Sequence, residues 1–135
     1  MRFIRQKITI IKTQRPDKDS INEELQWLGS TLGLFGIRDK DNSCFRIFIE
    51  LIKSSRQNKQ MISDEIALKL NLSRGTVVHH LNKMINAGIT VHEGNTYSLR
   101  AGKLEAVIEE IQKDVNRTFF DMLKIAKGID DELNK

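Results

Sequence analysis

One stretch constrains the fold more than any other: ISDEIALKLNLSRGTVVHHLNKMINAGITVHEGNTYSL, residues 62–99. A short helical run, SDEIALKL, opens at Ser63 as its expected cap, and Asp64 and Glu65 suit the positive first turn. Only Asn71-Leu72-Ser73 separates it from a second helical run. Asn71 tolerates the left-handed backbone that ends a helix, Leu72 plugs the corner, and Ser73 caps the next helix. That helix is expected to reach Ala87, with Gly88 just past its end. Two short strands around Glu93-Gly94-Asn95 follow as a hairpin. Helix, three-residue turn, capped helix and hairpin in this order make a helix-turn-helix with a wing. Ile66, Leu70, Leu72, Val77, Leu81 and Met84 are spaced to share one core.

The flanks add helices. Ser20, with Glu23 three positions on, predicts a capping box for a helix through INEELQWLGSTLG, with Ile21, Leu25, Leu28 and Leu32 on one stripe. The run DNSCFRIFIELIKSS predicts another, capped by Asp41 or Ser43, with Phe45, Phe48, Ile49 and Ile52 facing the core. SSRQNKQ reads as a polar loop. At the N-terminus, RFIRQKITIIKT, residues 2–13, is basic and β-branched and predicts a strand over Arg2–Lys12, although Ile11 breaks the period of two set by Ile4, Ile8 and Ile10. Three roles stay open for it: pairing with a two-fold mate, packing on other helices, or reaching to phosphates as an arm. Its isoleucines favour packing.

Composition excludes several classes. The chain of 135 residues is 39% apolar and 30% charged, enough for a packed core. No apolar run approaches the ~18–20 residues of a membrane span, and the N-terminus does not read as a secretory signal, so a cytoplasmic location is expected. The single cysteine, Cys44, excludes an intramolecular disulfide or a multi-cysteine zinc site and is expected to be a small core residue. The net charge of +4 points mildly to a polyanion. Its distribution says more: residues 1–100 hold 16 Lys/Arg against 10 Asp/Glu, and residues 101–135 hold 6 against 8. Three segments are expected: 1–40, a basic strand and helix; 41–100, the winged helix-turn-helix; and 101–135, one long helix.

A helical wheel over residues 73–87 places Val77, Leu81, Met84 and Ile85 inward, and Gly75, Thr76, His79, Asn82, Lys83 and Asn86 outward, with His80 on the flank and Arg74 in the first turn. No acidic residue lies between Ser73 and Ala87. A face of donors, with a glycine permitting close approach and first-turn amides for a phosphate, suits the major groove of DNA. Taken singly, these residues also read as an ordinary solvated surface. The absence of carboxylates in so charged a chain favours DNA. A metal site at His79-His80 is disfavoured: adjacent helical side chains diverge by about 100°, chelation needs i, i+4 spacing, and His92 is the only other histidine. No nucleophile–base constellation or glycine-rich phosphate loop appears, so neither an enzyme nor a cofactor is expected. Tyr97 and Trp27 offer no stacking platform for RNA.

The motif LSRGTVVHHLNKMINAGI resembles the recognition-helix signature of ArsR-like winged-helix transcriptional regulators, L-S-x-x-T-V-x-x-H-L-x-x-L-x-x-A-G-L. Leu72, Ser73, Thr76, Val77, His80, Leu81, Met84, Ala87, Gly88 and Ile89 fit it, with Met and Ile replacing Leu. The resemblance extends to ISDEIALKLNLS and covers about residues 43–100. LGLFGIRDKDNSCFRIFIELI is similar to the lead-in of an archaeal group of such regulators. The resemblance implies that Ser73, Arg74, Thr76, His79 and His80 lie at or near DNA. SDEIALKL lacks the cysteine pair through which many relatives sense metals, and Val78 stands where a small polar residue is common. The wing tip, His92 to Thr96, has no Lys or Arg, so wing contacts are left to His92, Asn95, Thr96 or Arg100.

The long helix carries Ile108, Val115, Met122 and Ile129 at heptad a, Leu104, Ile111 and Ile125 at d, and Phe119, Ala126 and Leu133 at e. So wide a stripe predicts a homodimer through Leu104, Ile108, Ile111, Val115, Phe119, Met122, Ile125 and Ile129, against the alternative of packing on the chain's own N-terminal helix. The expected fold is mainly α with a small β-hairpin wing. The expected function is sequence-specific double-stranded DNA binding by a homodimeric regulator at a palindromic site. Its DNA contacts would be Ser73, Arg74, Gly75, Thr76, His79, His80, Asn82, Lys83, Asn95 and Arg100. The rival is a winged-helix protein-interaction module that binds no DNA. No polar cluster marks an effector site.

Overall fold

The computed structural model describes residues 5–17, 20–36 and 42–135. Among them five helices and three short strands form a winged helix-turn-helix: α1 (Ile21–Thr31), α2 (Ser43–Arg56), β1 (Met61–Ile62), α3 (Ser63–Leu70), α4 (Arg74–Asn86), β2 (Thr90–Glu93), β3 (Thr96–Leu99) and α5 (Leu104–Leu133).

The turn between α3 and α4 forms as its residues dictate. Asn71 takes φ 56, the left-handed value that stops α3. The Leu72 amide donates to the Ala67 carbonyl at 2.9 Å, and its side chain packs against the core. The Arg46 guanidinium, from α2, donates to the Leu70 carbonyl that the helix end leaves open. The cap of α3 falls one residue earlier than expected. Ile62 holds the cap position, its amide donating to the Glu65 carboxylate, and Ser63 is the first helical residue. At the far end of α4, Gly88 has φ 82, its amide bonds to the Ile85 carbonyl, and Ile89 bonds back to Met84. This is the Schellman closure that glycine makes accessible, and it turns the chain into the wing.

The core gathers Val77, Leu81 and Met84 of α4, Ile66 and Ala67 of α3, Ile89 and Leu99 of the wing, and Val107 and Ile111 of α5. From α2 it takes Cys44, Ile47, Phe48 and Leu51, a face one residue round from the expected one, with Phe45 and Ile49 only half-buried. Cys44 is fully buried, as a core residue should be. Glu50 is also buried and pairs with Lys69 of α3 at 2.9 Å, which ties the two helices at their polar edge. The Ser20 hydroxyl caps α1 by accepting from the Glu23 amide. Along the α1 stripe, Leu25 and Leu28 pack on the core and Leu32 is buried, whereas Ile21 stays exposed.

The sheet order is β1-β3-β2, antiparallel throughout. The expected hairpin closes through Gly94-Asn95, with φ 62 at Gly94, the turn position that favours glycine. Met61 and Ile62 add a third strand against Tyr97 and Thr96 that sequence reading missed; two residues are too short to show periodicity.

The expected N-terminal strand is not formed over residues 5–12; its residues 2–4 and the Asp41 cap lie outside the described residues. Its backbone groups go to helix ends instead. The Lys7 amide donates to the Asn86 carbonyl at 2.8 Å and the Ile11 amide to the Thr31 carbonyl at 2.8 Å. The segment therefore straps α4 to α1 as an extended chain.

Helix α5 divides in two. Leu104, Ile108 and Val115 pack against the core, joining the buried Val107 and Ile111. Every residue from 116 onward is exposed, along about 27 Å of helix.

Candidate nucleic-acid interface

Ser73 starts α4 with its hydroxyl oxygen accepting from the Thr76 amide at 3.1 Å, while its own proton goes to Thr76 Oγ1 at 2.8 Å. Gly75, between them, is exposed, and a Cβ added there would meet nothing within 4 Å. Among the described residues no contact requires a glycine at this point. Arg74 reaches Asp64 at 3.4 Å, but both side chains are more than two-thirds exposed, so the pair is weak and easily exchanged.

His79 is exposed and His80 half-buried, as the wheel expects. Their rings still meet edge to face, with centroids 5.2 Å apart, so His80 braces His79 from behind. Val78 is half-buried. Among the described residues, no group of three or more His, Cys, Asp or Glu side chains is gathered where a metal ion would sit.

The second half of the outward face, where Asn82 and Asn86 are exposed and Lys83 is half-buried, borders a groove. Asn82, Lys83 and Asn86 form one wall of a groove of about 350 Å³, whose other walls are Lys7 of the N-terminal segment and the turn at Leu34. Lys83 Nζ donates to the Leu34 carbonyl at 2.7 Å, and its side chain is half-buried. It is a bracket across the groove rather than a free cation. Among the described residues no carboxylate lines this groove.

The wing contributes little charge. Asn95 and His92 are exposed, with the His92 ring over Tyr97 at 5.9 Å, but Glu93 stands beside them. Thr96 is occupied by Gln60 Oε1 at 2.9 Å and the Glu93 carbonyl at 2.8 Å.

Arg100 requires a correction. It was expected to reach outward, but its guanidinium donates to Asp114 at 2.6 and 3.3 Å and to the Gly88 carbonyl at 3.4 Å. Asp114 is buried and also accepts from Gln6 at 3.2 Å and from Arg117. The hydrogen bond from Arg100 holds the Asp114 carboxyl below its ordinary pKa, overcoming the opposing effect of burial. The same bond raises the pKa of Arg100. This cluster joins the N-terminal segment, the end of α4, the end of the wing and α5. Sequence reading missed Gln6 and Asp114 because their partners are remote in the chain.

The expected dimerisation set also splits. Leu104, Ile108, Ile111 and Val115 are engaged with the chain's own core, whereas Phe119, Met122, Ile125 and Ile129 are exposed, together with Phe120, Leu123 and Leu133.

Open to solvent at α4 are Ser73, Arg74 and Gly75 at its capped, acid-free start, His79 on the next turn, and Asn82 and Asn86 beside the groove, with Thr76 half-buried among them. No curated protein and no solved structure gives a match to the chain. Residues 51–90, from the second half of α2 into β2, match the model of the bacterial regulatory protein arsR family, so the segment that builds this face is an ArsR-like helix-turn-helix.

Proposed function

We propose that the protein is a sequence-specific, double-stranded DNA-binding transcriptional regulator that works as a homodimer on a palindromic site. The observation that carries this reading is the open start of α4: no acidic residue in the helix, a glycine with free space above it, and an exposed imidazole, His79, one turn on. Such a helix enters a major groove, first-turn amides and Arg74 meeting phosphate, and Thr76 and His79 meeting base edges. The ArsR-like match over residues 51–90 supports the same role, in a member without the cysteine pair for thiolate metal sensing and with the archaeal-type lead-in before α2.

The dimer rests on the free half of α5. Seven large apolar side chains there are at least half exposed. At on the order of 100 Å² each they present about 700 Å², close to the ~800 Å² per partner of a stable interface. A two-fold pairing sets two copies of α4 about one DNA turn, ~34 Å, apart.

Selection of genomic fragments on the purified protein at ~0.15 M salt, followed by sequencing, tests the reading. Inverted half-sites should emerge. His79→Ala should reduce discrimination between sequences, and Arg74→Ala should weaken binding to all of them. Recovery of no fragment above background would instead support a protein-interaction module.

A further inference from the structure

We propose that the groove beside α4 is a seat for an oxyanion, built around the Lys7 ammonium, and that a phosphodiester of the DNA backbone occupies it. This deepens the DNA-binding reading and rests on it for the identity of the occupant.

The placement of Lys7 is structural. Its amide is bonded to the Asn86 carbonyl, so the segment is fixed against the last turn of α4. Two residues on, Thr9 lies against Gly33: a Cβ at Gly33 would come within 2.7 Å of Thr9 Cγ2, and Gly33 has φ 73. Residue 33 must therefore be glycine for the segment to lie this close. Lys83 closes the floor by its bond to the Leu34 carbonyl. These anchors hold Lys7 over a groove whose α4 wall carries His79, Asn82 and Asn86.

The chemistry of the lining selects the ligand. The polar residues that line it are Lys7, Thr9, His79, Asn82, Lys83 and Asn86, and among the described residues no Asp or Glu joins them. Among the described residues no carboxylate pairs with Lys7, whose side chain is exposed. Lys83 adds a second positive charge at the floor even while bonded. This set suits a tetrahedral oxyanion better than a cation or a neutral ligand. Position then selects the source. A helix lying in a major groove about 12 Å wide has a phosphate strand along each flank, and this groove runs along one flank of α4, sharing His79 with the reading face. The N-terminal segment would then be a phosphate clamp, held in place by its own packing.

The test compares three proteins on one selected DNA fragment, with affinity measured across a salt series. Lys7→Ala should bind more weakly and flatten the slope of log K against log salt by about 0.9, one phosphate contact. Lys12→Ala, an equally exposed lysine of the same segment outside the groove, should leave the slope unchanged. Inorganic phosphate, titrated into the DNA-free protein, should move the side-chain amide resonances of Asn82 and Asn86 only weakly, and not at all in Lys7→Ala. Wild-type binding with an unchanged slope for Lys7→Ala overturns the seat and leaves the DNA reading standing. Equal flattening by both lysine variants also overturns it, because diffuse charge would explain both. If the wild type binds no DNA while phosphate saturates the groove, the DNA occupant and the functional reading fail together.

Discussion

Asp114→Asn removes one negative charge at the joint between α5 and the rest of the fold, and its cost follows from the contacts. The carboxylate is 9% exposed and the Arg100 side chain 25% exposed, joined by hydrogen bonds of 2.6 and 3.3 Å. Breaking a fully buried ion pair costs about 3–5 kcal/mol, and losing a single hydrogen bond to a charged group about 1.5–3. Asparagine keeps one acceptor oxygen. Arg100 keeps the Gly88 carbonyl, Glu110 at 3.8 Å and some contact with water. The lower end therefore applies, about 2 kcal/mol, which for a domain of this size lowers Tm by roughly 6–10 °C.

The pH dependence supplies a second readout. Asp114 has a folded pKa below the ordinary aspartate value, held there by the hydrogen bond from Arg100. Between the two values the unfolded chain binds a proton that the folded chain does not, so stability rises with pH there. The contribution of Asp114 is fully present above the unfolded pKa and is lost as pH falls through the folded one. Thermal unfolding at fixed protomer concentration should show a wild-type advantage at pH 7 that shrinks as pH falls below about 4. A variant that melts within about 2 °C of wild type at pH 7, or whose deficit is independent of pH, would refute the assignment.

Two further substitutions separate stability from function. Gly75→Ala should raise stability by about 0.5–1 kcal/mol, because the site is helical and open, yet weaken DNA binding by placing a methyl on the reading face; thermal melts and gel shifts on the same samples check both signs. Ile129→Glu should yield monomers by sedimentation without altering the core, whereas Val107→Ala, on the buried half of the same helix, should cost about 2 kcal/mol in denaturant unfolding.

The helix-turn-helix was legible because every determinant is local: Asn71 and Gly88 take positive φ, and Ser73 caps the helix that follows it. The buried face of α2 was not. In CFRIFIELI, apolar residues occupy both Phe45-Phe48-Ile49-Ile52 and Cys44-Ile47-Phe48-Leu51, and both sets satisfy the helical spacing. Only packing against α3 and α4 decides between them. The N-terminal segment misled for a related reason: its residues have strand propensity, but the groups that receive its amides are helix ends. On α4 the wheel placed Val77, Leu81 and Met84 inward and Gly75, His79, Asn82 and Asn86 outward as found, whereas Ile85, expected inward, and Thr76 and Lys83, expected outward, are all half-buried. The wheel had no means of showing that Asn82 and Lys83 would face a second wall, since that wall comes from residues 7 and 34.

The reassignment of Arg100 bears on the mechanism as much as on the residue roster. An arginine at the end of the wing that reached phosphate would add affinity and nothing else. Bonded to Asp114 and to the Gly88 carbonyl, it instead connects the helix that offers the apolar face with the closure of the reading helix. Helix α5 has its buried half before this joint and its exposed half after it. On the dimer reading, whatever fixes the angle between two copies at residues 119–133 reaches α4 through the seating of Leu104, Val107, Ile108, Ile111 and Val115 on the core and through the bond from Arg100 to Asp114. Half-site spacing would then depend on the stiffness of this cluster together with the packing of residues 104–115. Loosening the cluster with Asp114→Asn should broaden the range of half-site spacings recovered in selection while leaving the bases read within each half-site unchanged.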